Sequence, residues 1–389
     1  MISFDNTEIA FKSKSNAQLS KAYWLFKIIS FPSIVKIGKL LMPISLKLHL
    51  PIKGLIKSTI FGQFCGGESV GECTPTIEKL GEFGVGTILD YSVEGQNSFE
   101  QVEHTVQEII QTIERGAEDP FIPFAVFKVT GIADFSLLEK VSSDKPLSDE
   151  EKLEYMEVGQ RINRICKRAY ECNLPIFIDA EESWIQKAID EIAFEMMLQY
   201  NKNQAIVYNT LQMYRWDRLN FLKSCFEIAE HHEIVYGVKL VRGAYMEKER
   251  LRAVKEGYPS PIQLDKLATD TDFNEALDFI VENHHRFALC AGTHNEESSI
   301  YLTKLMDKFN IDPSNNRFYF AQLLGMSDHI SFNLSHEKYN VAKYVPYGPV
   351  REVLPYLLRR ADENTSVAGQ TGRELSLIQR EKKRRKIRV

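Results

Sequence analysis

At 389 residues the chain is too long for one small domain, and a single α/β barrel with an extension fits that length. A net charge of −5 argues against a nucleic-acid partner, and the six cysteines contain no C-x-x-C pair, which points to reduced, packed thiols of a cytoplasm rather than a disulfide or zinc scaffold. No apolar run is long enough to span a bilayer, and Met1 to Asn16 is polar and mixed in charge, without the pattern of a cleavable signal.

Residues 1–80 read as an N-terminal helical extension. Within it, residues 17–60 interleave aromatic and aliphatic side chains with lysines, as in Tyr23-Trp24-Leu25-Phe26-Lys27 and Ile34-Val35-Lys36-Ile37-Gly38-Lys39. Two readings fit: helices packed on the remainder of the chain, or a segment lying on an anionic membrane surface.

Eight strand-like runs follow: 87–91, 124–129, 175–180, 205–212, 237–243, 287–294, 317–322 and 340–345. Most are short and nearly continuously apolar, as in parallel strands covered on both faces. Helical patterns separate them; one opens at Ser148-Asp149-Glu150-Glu151 with a capping box. Strands alternating with helices imply a parallel sheet, and eight of them imply a closed (β/α)8 barrel over residues 81–366. The rival, a doubly wound open sheet, lacks a G-x-G-x-x-G after any strand. Residues 367–389 end in the basic run Arg380 to Arg388, which reads as a solvated tail or as further contact with acidic lipid.

Polar residues fall at the C-terminal ends of these strands: Lys128, Asp179, Gln212, Arg242, Thr293-His294 and Tyr344. In a barrel those ends share one rim, where active sites are built. Beyond the last strand, Tyr356-Leu357-Leu358-Arg359-Arg360-Ala361-Asp362-Glu363-Asn364 places two adjacent arginines on a helix. They suit a carboxylate held bidentately, or else form a solvated face with Glu363 paired to Arg359 at i,i+4.

Five blocks, in order over roughly residues 80–365, resemble the proline dehydrogenase family. They are Ile178-Asp179-Ala180-Glu181-Glu182, Lys239-Leu240-Val241-Arg242-Gly243-Ala244-Tyr245, Thr293-His294-Asn295, Gln322-Leu323-Leu324-Gly325-Met326, and the helix with Tyr356, Arg359, Arg360, Glu363 and Asn364. The resemblance implies an FAD-binding TIM-type barrel that oxidises L-proline to Δ1-pyrroline-5-carboxylate and passes electrons to a membrane quinone. It also implies a protein peripheral to the cytoplasmic face of the inner membrane, or cytoplasmic. The wording from Tyr344 to Tyr356 is similar to the mitochondrial-type branch, and the chain has no room for a second, aldehyde dehydrogenase domain.

Carried over residue by residue, the resemblance places Lys128, Arg359 and Arg360 on the substrate carboxylate. Tyr245, Leu323, Tyr344 and Tyr356 wall the proline ring. Asp179 and Lys239 are the catalytic pair, Asp179 orienting Lys128 and Lys239 presenting a cation to the flavin where many members have arginine. Ala180, Gln212, Lys239, Val241, Arg242, Gly243, Ala244, Lys266, Thr293 and His294 are the expected FAD contacts, with Lys266 at the pyrophosphate. Glu181 and Glu182 are scaffold or gate charges, and no metal is expected. Three other readings stay open. Lys128 could be a Schiff-base nucleophile of an aldolase-type barrel. The substrate could be hydroxyproline, although a tyrosine at 344 leaves little room for a ring hydroxyl. The barrel could also be catalytically silent, serving membrane or partner binding.

Overall fold

A computed structural model describes residues 2–31, 33, 53–92, 98–366 and 370–387. Eight parallel strands close a barrel in chain order. They are β1 Val85–Tyr91, β2 Phe124–Lys128, β3 Ile176–Asp179, β4 Val207–Gln212, β5 Tyr236–Val241, β6 Phe287–Gly292, β7 Phe318–Leu323 and β8 Val341–Tyr347. All eight expected strands are present, and the described residues before β1 are largely helical. Four strands end before the expected boundary: β2 at Lys128, β3 at Asp179, β5 at Val241 and β6 at Gly292. The residues beyond them belong to the loops that carry function in such barrels.

By contacts the chain divides into two compact units, 95–321 and the combination of 1–94 with 322–389. In the 95–321 unit, β2 to β6 pair in register, with Lys128 opposite Asp179 and Lys239 opposite both Thr210 and Cys290. Side chains alternate along a strand, so Phe124 and Lys128, Phe177 and Asp179, and Tyr208 and Gln212 share the inward face. The aromatic members form a floor. Phe124 stacks on Phe177 at 4.4 Å between centroids and meets Tyr319 edge-on at 4.7 Å. Gly237 makes room for this layer, because a Cβ there would stand 2.7 Å from the Tyr208 ring. The helices outside are started by local chemistry. Ser98 with Gln101 and Ser148 with Glu151 both form capping boxes.

In the other unit, β1 pairs with β8, Ile88 opposite Tyr344. The helix Asn16–Ile29 buries Leu19, Ala22, Tyr23 and Phe26 against Leu377 and Ile378 of the C-terminal helix Gln370–Arg384. Each of those last two side chains contributes about 1.5–3 kcal/mol by leaving water. The described part of the basic run is therefore the end of a docked helix. Arg380 pairs with Asp5 at 2.8 Å, Arg384 with Glu381 at 2.9 Å, and Arg385 donates to the carbonyls of Phe11 and Lys14 at 2.7 Å. The apolar face of Leu377 and Ile378, upstream of the charges, decides this. Residues 34–52 of the lysine-rich stretch lie outside the described residues.

Lys343 of β8 points away from the side of Tyr344 and is fully buried. Its ammonium lies 2.9 Å from Asp328, which Lys14 also meets at 3.1 Å, and it donates to the Met326 carbonyl. Burial pushes the Asp328 carboxyl up, but Lys14 and Lys343 reverse this and hold it well below the usual range. The network fixes the turn that follows Leu323.

Candidate active site

The inward-facing ends of β2, β3 and β5 bring Lys128, Asp179 and Lys239 to one place in the 95–321 unit. Lys239 is only 4% exposed, and its ammonium is hydrogen-bonded to the Asp179 carboxylate. It also stands 5.1 Å over the Phe177 ring of the aromatic floor. The ion pair with Asp179 fixes the position of the Lys239 ammonium at the mouth of the barrel. Asp179 forms an ion pair with Lys239, and Lys128, the residue it is expected to orient, is its neighbour across the sheet.

Loop residues beyond the strands form a second cluster. Arg242 donates from Nε to Asp270 at 2.7 Å, from one terminal nitrogen to Thr293 Oγ1 at 2.6 Å and from the other to Ser298 Oγ at 3.0 Å. Its guanidinium carbon lies 4.5 Å over the Phe273 ring. Burial draws the Arg242 pKa down against the pull of Asp270. Lys266 bonds the other Asp270 oxygen. Gly243 follows with φ +132°, and a Cβ there would stand 2.6 Å from the Tyr214 ring. Only glycine fits both the angle and the space. Gln212 braces the cluster: its amide donates to the Glu181 carbonyl at 2.7 Å and its oxygen accepts from Ala244 N–H at 3.4 Å. Ala180 and Thr293 are buried, Val241, Tyr245 and His294 half-buried, and Gly243 and Ala244 exposed.

Glu181 and Glu182 hold structure. Glu181 accepts from the Thr130 N–H at 3.0 Å and from its hydroxyl, clamping the loop two residues past Lys128. Glu182 takes Lys248, and Ser183 is bonded twice to the buried Glu249 at 2.6 Å. These contacts tie the loop after β3 to the helix Met246–Glu256. Burial pushes the Glu181 carboxyl from its ordinary 4.5 up to about 7, against the pull of the Thr130 bonds. A carboxyl raised on folding stabilises the fold fully below its unfolded pKa and loses that contribution as pH rises through the folded one. Wild type should thus lose about 2–3 kcal/mol between pH near 5 and pH near 8 relative to Glu181→Gln. Urea midpoints of both proteins at the two pH values measure this; parallel changes would show that Glu181 titrates normally.

In the other unit, Leu323 ends β7 and Tyr344 lies in β8 at 9% exposure. Tyr356, Arg359 and Arg360 are spaced i, i+3, i+4 on the helix Val350–Ser366 and so share a face. The Arg360 guanidinium stands 5.2 Å over the Tyr356 ring and is 8% exposed. A solvated pair of arginines does not describe this residue. The alternative pairing of Arg359 with Glu363 concerns a side chain outside the described residues.

Asp270, Ser298 and Glu249 were absent from the sequence expectation. Each lies in a helix, far from the strand ends that signalled the site.

A closed parallel barrel with paired cations at its strand ends has the architecture of an α/β-barrel enzyme. A family model described as proline dehydrogenase matches residues 73–373. The chain is 33% identical to proline dehydrogenase 1, mitochondrial, of Dictyostelium discoideum, over 98% of this chain and 74% of that one. It is 31% identical to the hydroxyproline dehydrogenase of Xenopus laevis, over 96% and 88%. The solved structure of proline utilization A from Bdellovibrio bacteriovorus superposes with a TM-score of 0.74 at 20% identity, over 92% of this chain and 38% of that one. At that identity the likeness is one of fold, and the chain spans well under half the length of that protein. The chain belongs to the proline dehydrogenase family and is an oxidoreductase.

Proposed function

We propose that the chain oxidises L-proline to Δ1-pyrroline-5-carboxylate with FAD as its bound acceptor. The observation that carries the reading is the arrangement of Lys239–Asp179 and Arg242–Gly243 at neighbouring strand ends. The residues fit a flavin dinucleotide. Arg242 uses three of the five N–H groups of a guanidinium, which leaves two for a phosphate oxygen. The Lys266 side chain is 69% exposed, and Gly243 lets backbone approach a ligand closely. Thr293, His294, Ala180 and Ala244 stand in the loops beyond the strands, and Gln212 and Val241 are the last residues of β4 and β5. When bound, FAD supplies the two-electron acceptor.

The chain's own residues do the rest. Arg359, Arg360 and Lys128 take the substrate carboxylate. Tyr245, Leu323, Tyr344 and Tyr356 exclude water from the ring. The ring nitrogen loses a proton, the adjacent carbon loses a hydride, and a C=N bond forms. Lys239, held by Asp179, places a positive charge where negative charge accumulates on the acceptor.

The Xenopus laevis relative favours a second reading, hydroxyproline as substrate. Tyr344 discriminates between the two. Burying a ring hydroxyl against it without a partner costs roughly 1–3 kcal/mol. Wild type should prefer L-proline over trans-4-hydroxy-L-proline in kcat/KM, and Tyr344→Ser should narrow the gap, mainly by losing proline activity. Equal turnover of both substrates by wild type would put the second reading first.

Electrons leave to a membrane quinone at a peripheral contact. No described helix is long and apolar enough to cross a membrane. Trp24, Ile28 and Phe31 can supply the peripheral contact: they are 53%, 47% and 52% exposed, spaced along one face, with Lys27 4.9 Å over the Trp24 ring. Binding to anionic vesicles should weaken with salt, and Trp24→Ser with Ile28→Ser should reduce it. Undiminished binding by that variant would move the contact elsewhere.

A further inference from the structure

We propose that Asp270 is a positioning residue for the cofactor's diphosphate: its carboxylate holds Arg242 and Lys266 together in the geometry that takes an anion. The proposal rests on the flavin reading above. Asp270 lies one turn into the helix Lys266–Glu282, whose N-terminus is capped by the Asp265 side chain. One of its oxygens accepts from Arg242 Nε at 2.7 Å, and the other accepts from the Lys266 ammonium. Burial pushes the Asp270 carboxyl up, but Lys266 and Arg242 outweigh it and hold the group below the usual carboxylate range. It is therefore an anion when the cofactor arrives.

Two cations brought together to meet one diphosphate repel each other in the empty pocket. A carboxylate between them removes that repulsion and fixes both heads at once. An i,i+4 pair of Lys266 and Asp270 alone would be an ordinary surface contact of small effect. The Arg242 side distinguishes this one. That guanidinium is bracketed by Asp270, Thr293 Oγ1, Ser298 Oγ and the Phe273 ring. Ser298 in turn donates to Asn274 Oδ1 at 2.8 Å, and Thr293 Oγ1 accepts from the Asn295 N–H at 3.0 Å, so both hydroxyl oxygens are turned toward the arginine. Every neighbour of Arg242 is thus set, and the two remaining N–H groups have a fixed direction.

The sign of the effect separates positioning from simple charge. By Coulomb attraction alone, removing a negative charge beside a diphosphate tightens binding. By positioning, removing it weakens binding, because one of the two oxygens becomes an amide NH2 that cannot accept, and Arg242 or Lys266 loses its partner. The experiment measures FAD dissociation constants by fluorescence on apoprotein of wild type, Asp270→Asn and Asp270→Glu. Circular dichroism melts verify that each variant is folded. Asp270→Asn should bind FAD about tenfold more weakly, the loss of one charge-assisted bond. Asp270→Glu, which keeps the charge but lengthens the arm, should fall between the two and thereby separate geometry from charge even if the asparagine variant melts early. Equal or tighter binding by Asp270→Asn, or wild-type affinity in Asp270→Glu with weakened Asp270→Asn, would overturn the positioning role while leaving the flavin reading intact. Failure of wild-type apoprotein to bind FAD would overturn both.

Discussion

Replacing Lys239 by methionine should cost about 3–5 kcal/mol of folding stability, the penalty for leaving a largely buried carboxylate without its partner. Lys239 is 5% and Asp179 15% exposed at the side chain, so water replaces the lost ammonium poorly. The aromatic floor under the pair, with Phe177 5.1 Å from the ammonium, offers Asp179 no hydrogen-bond donor. The double variant Lys239→Met with Asp179→Asn should lose less than the sum of the two single changes, because neither charge is then stranded. Chemical denaturation of the four proteins gives the coupling directly. Additive losses, or a single-variant cost under about 1 kcal/mol, would mean that Asp179 is neutralised by another group, and Lys128 opposite it in register would be the first to examine. The same pair carries the proposed function, in which its ammonium faces the acceptor.

The second large effect is on substrate capture. Arg359→Ala and Arg360→Ala should each lower kcat/KM by about 2–4 kcal/mol equivalent, roughly 30- to 1000-fold, by removing a charge-assisted contact and leaving the carboxylate underpaired. Arg360→Lys should recover little, because a lysine neither stacks on Tyr356 as the guanidinium does at 5.2 Å nor presents a planar fork. Steady-state kinetics with flavin content held equal measures both. Arginines on an idle helix face would give changes below about twofold, as exposed ion pairs do. That outcome would move the carboxylate site elsewhere.

Much of this architecture is legible in the amino-acid order because parallel strands announce themselves. Runs such as Ile176-Phe177-Ile178 are apolar on both faces, and the first polar residue after them, here Asp179, marks the rim. The i, i+3, i+4 spacing of Tyr356, Arg359 and Arg360 likewise follows from helix geometry alone. What escaped is tertiary. Asp270 looks like any helical acid until the fold carries Arg242 to it. Glu249 reads as one charge among many in Glu247-Lys248-Glu249-Arg250, yet it is fully buried on Ser183. Lys343 sits between apolar neighbours of β8, and only Asp328 and the Met326 carbonyl explain how a lysine lies wholly inside. The basic C-terminus carries its docking signal not in its charges but in Leu377 and Ile378, the side chains that dock the helix. Partners distant in sequence carry no local signal, so pattern reading finds the rim and misses its braces.

The most direct test of the central claim is anaerobic titration of the purified protein with L-proline, followed in the visible flavin band. The protein should be yellow from noncovalently bound FAD, released as FAD and not FMN on heating. The band should bleach as L-proline is added, with Δ1-pyrroline-5-carboxylate formed in step with the flavin reduced. A flavin that stays oxidised at saturating L-proline would contradict the account.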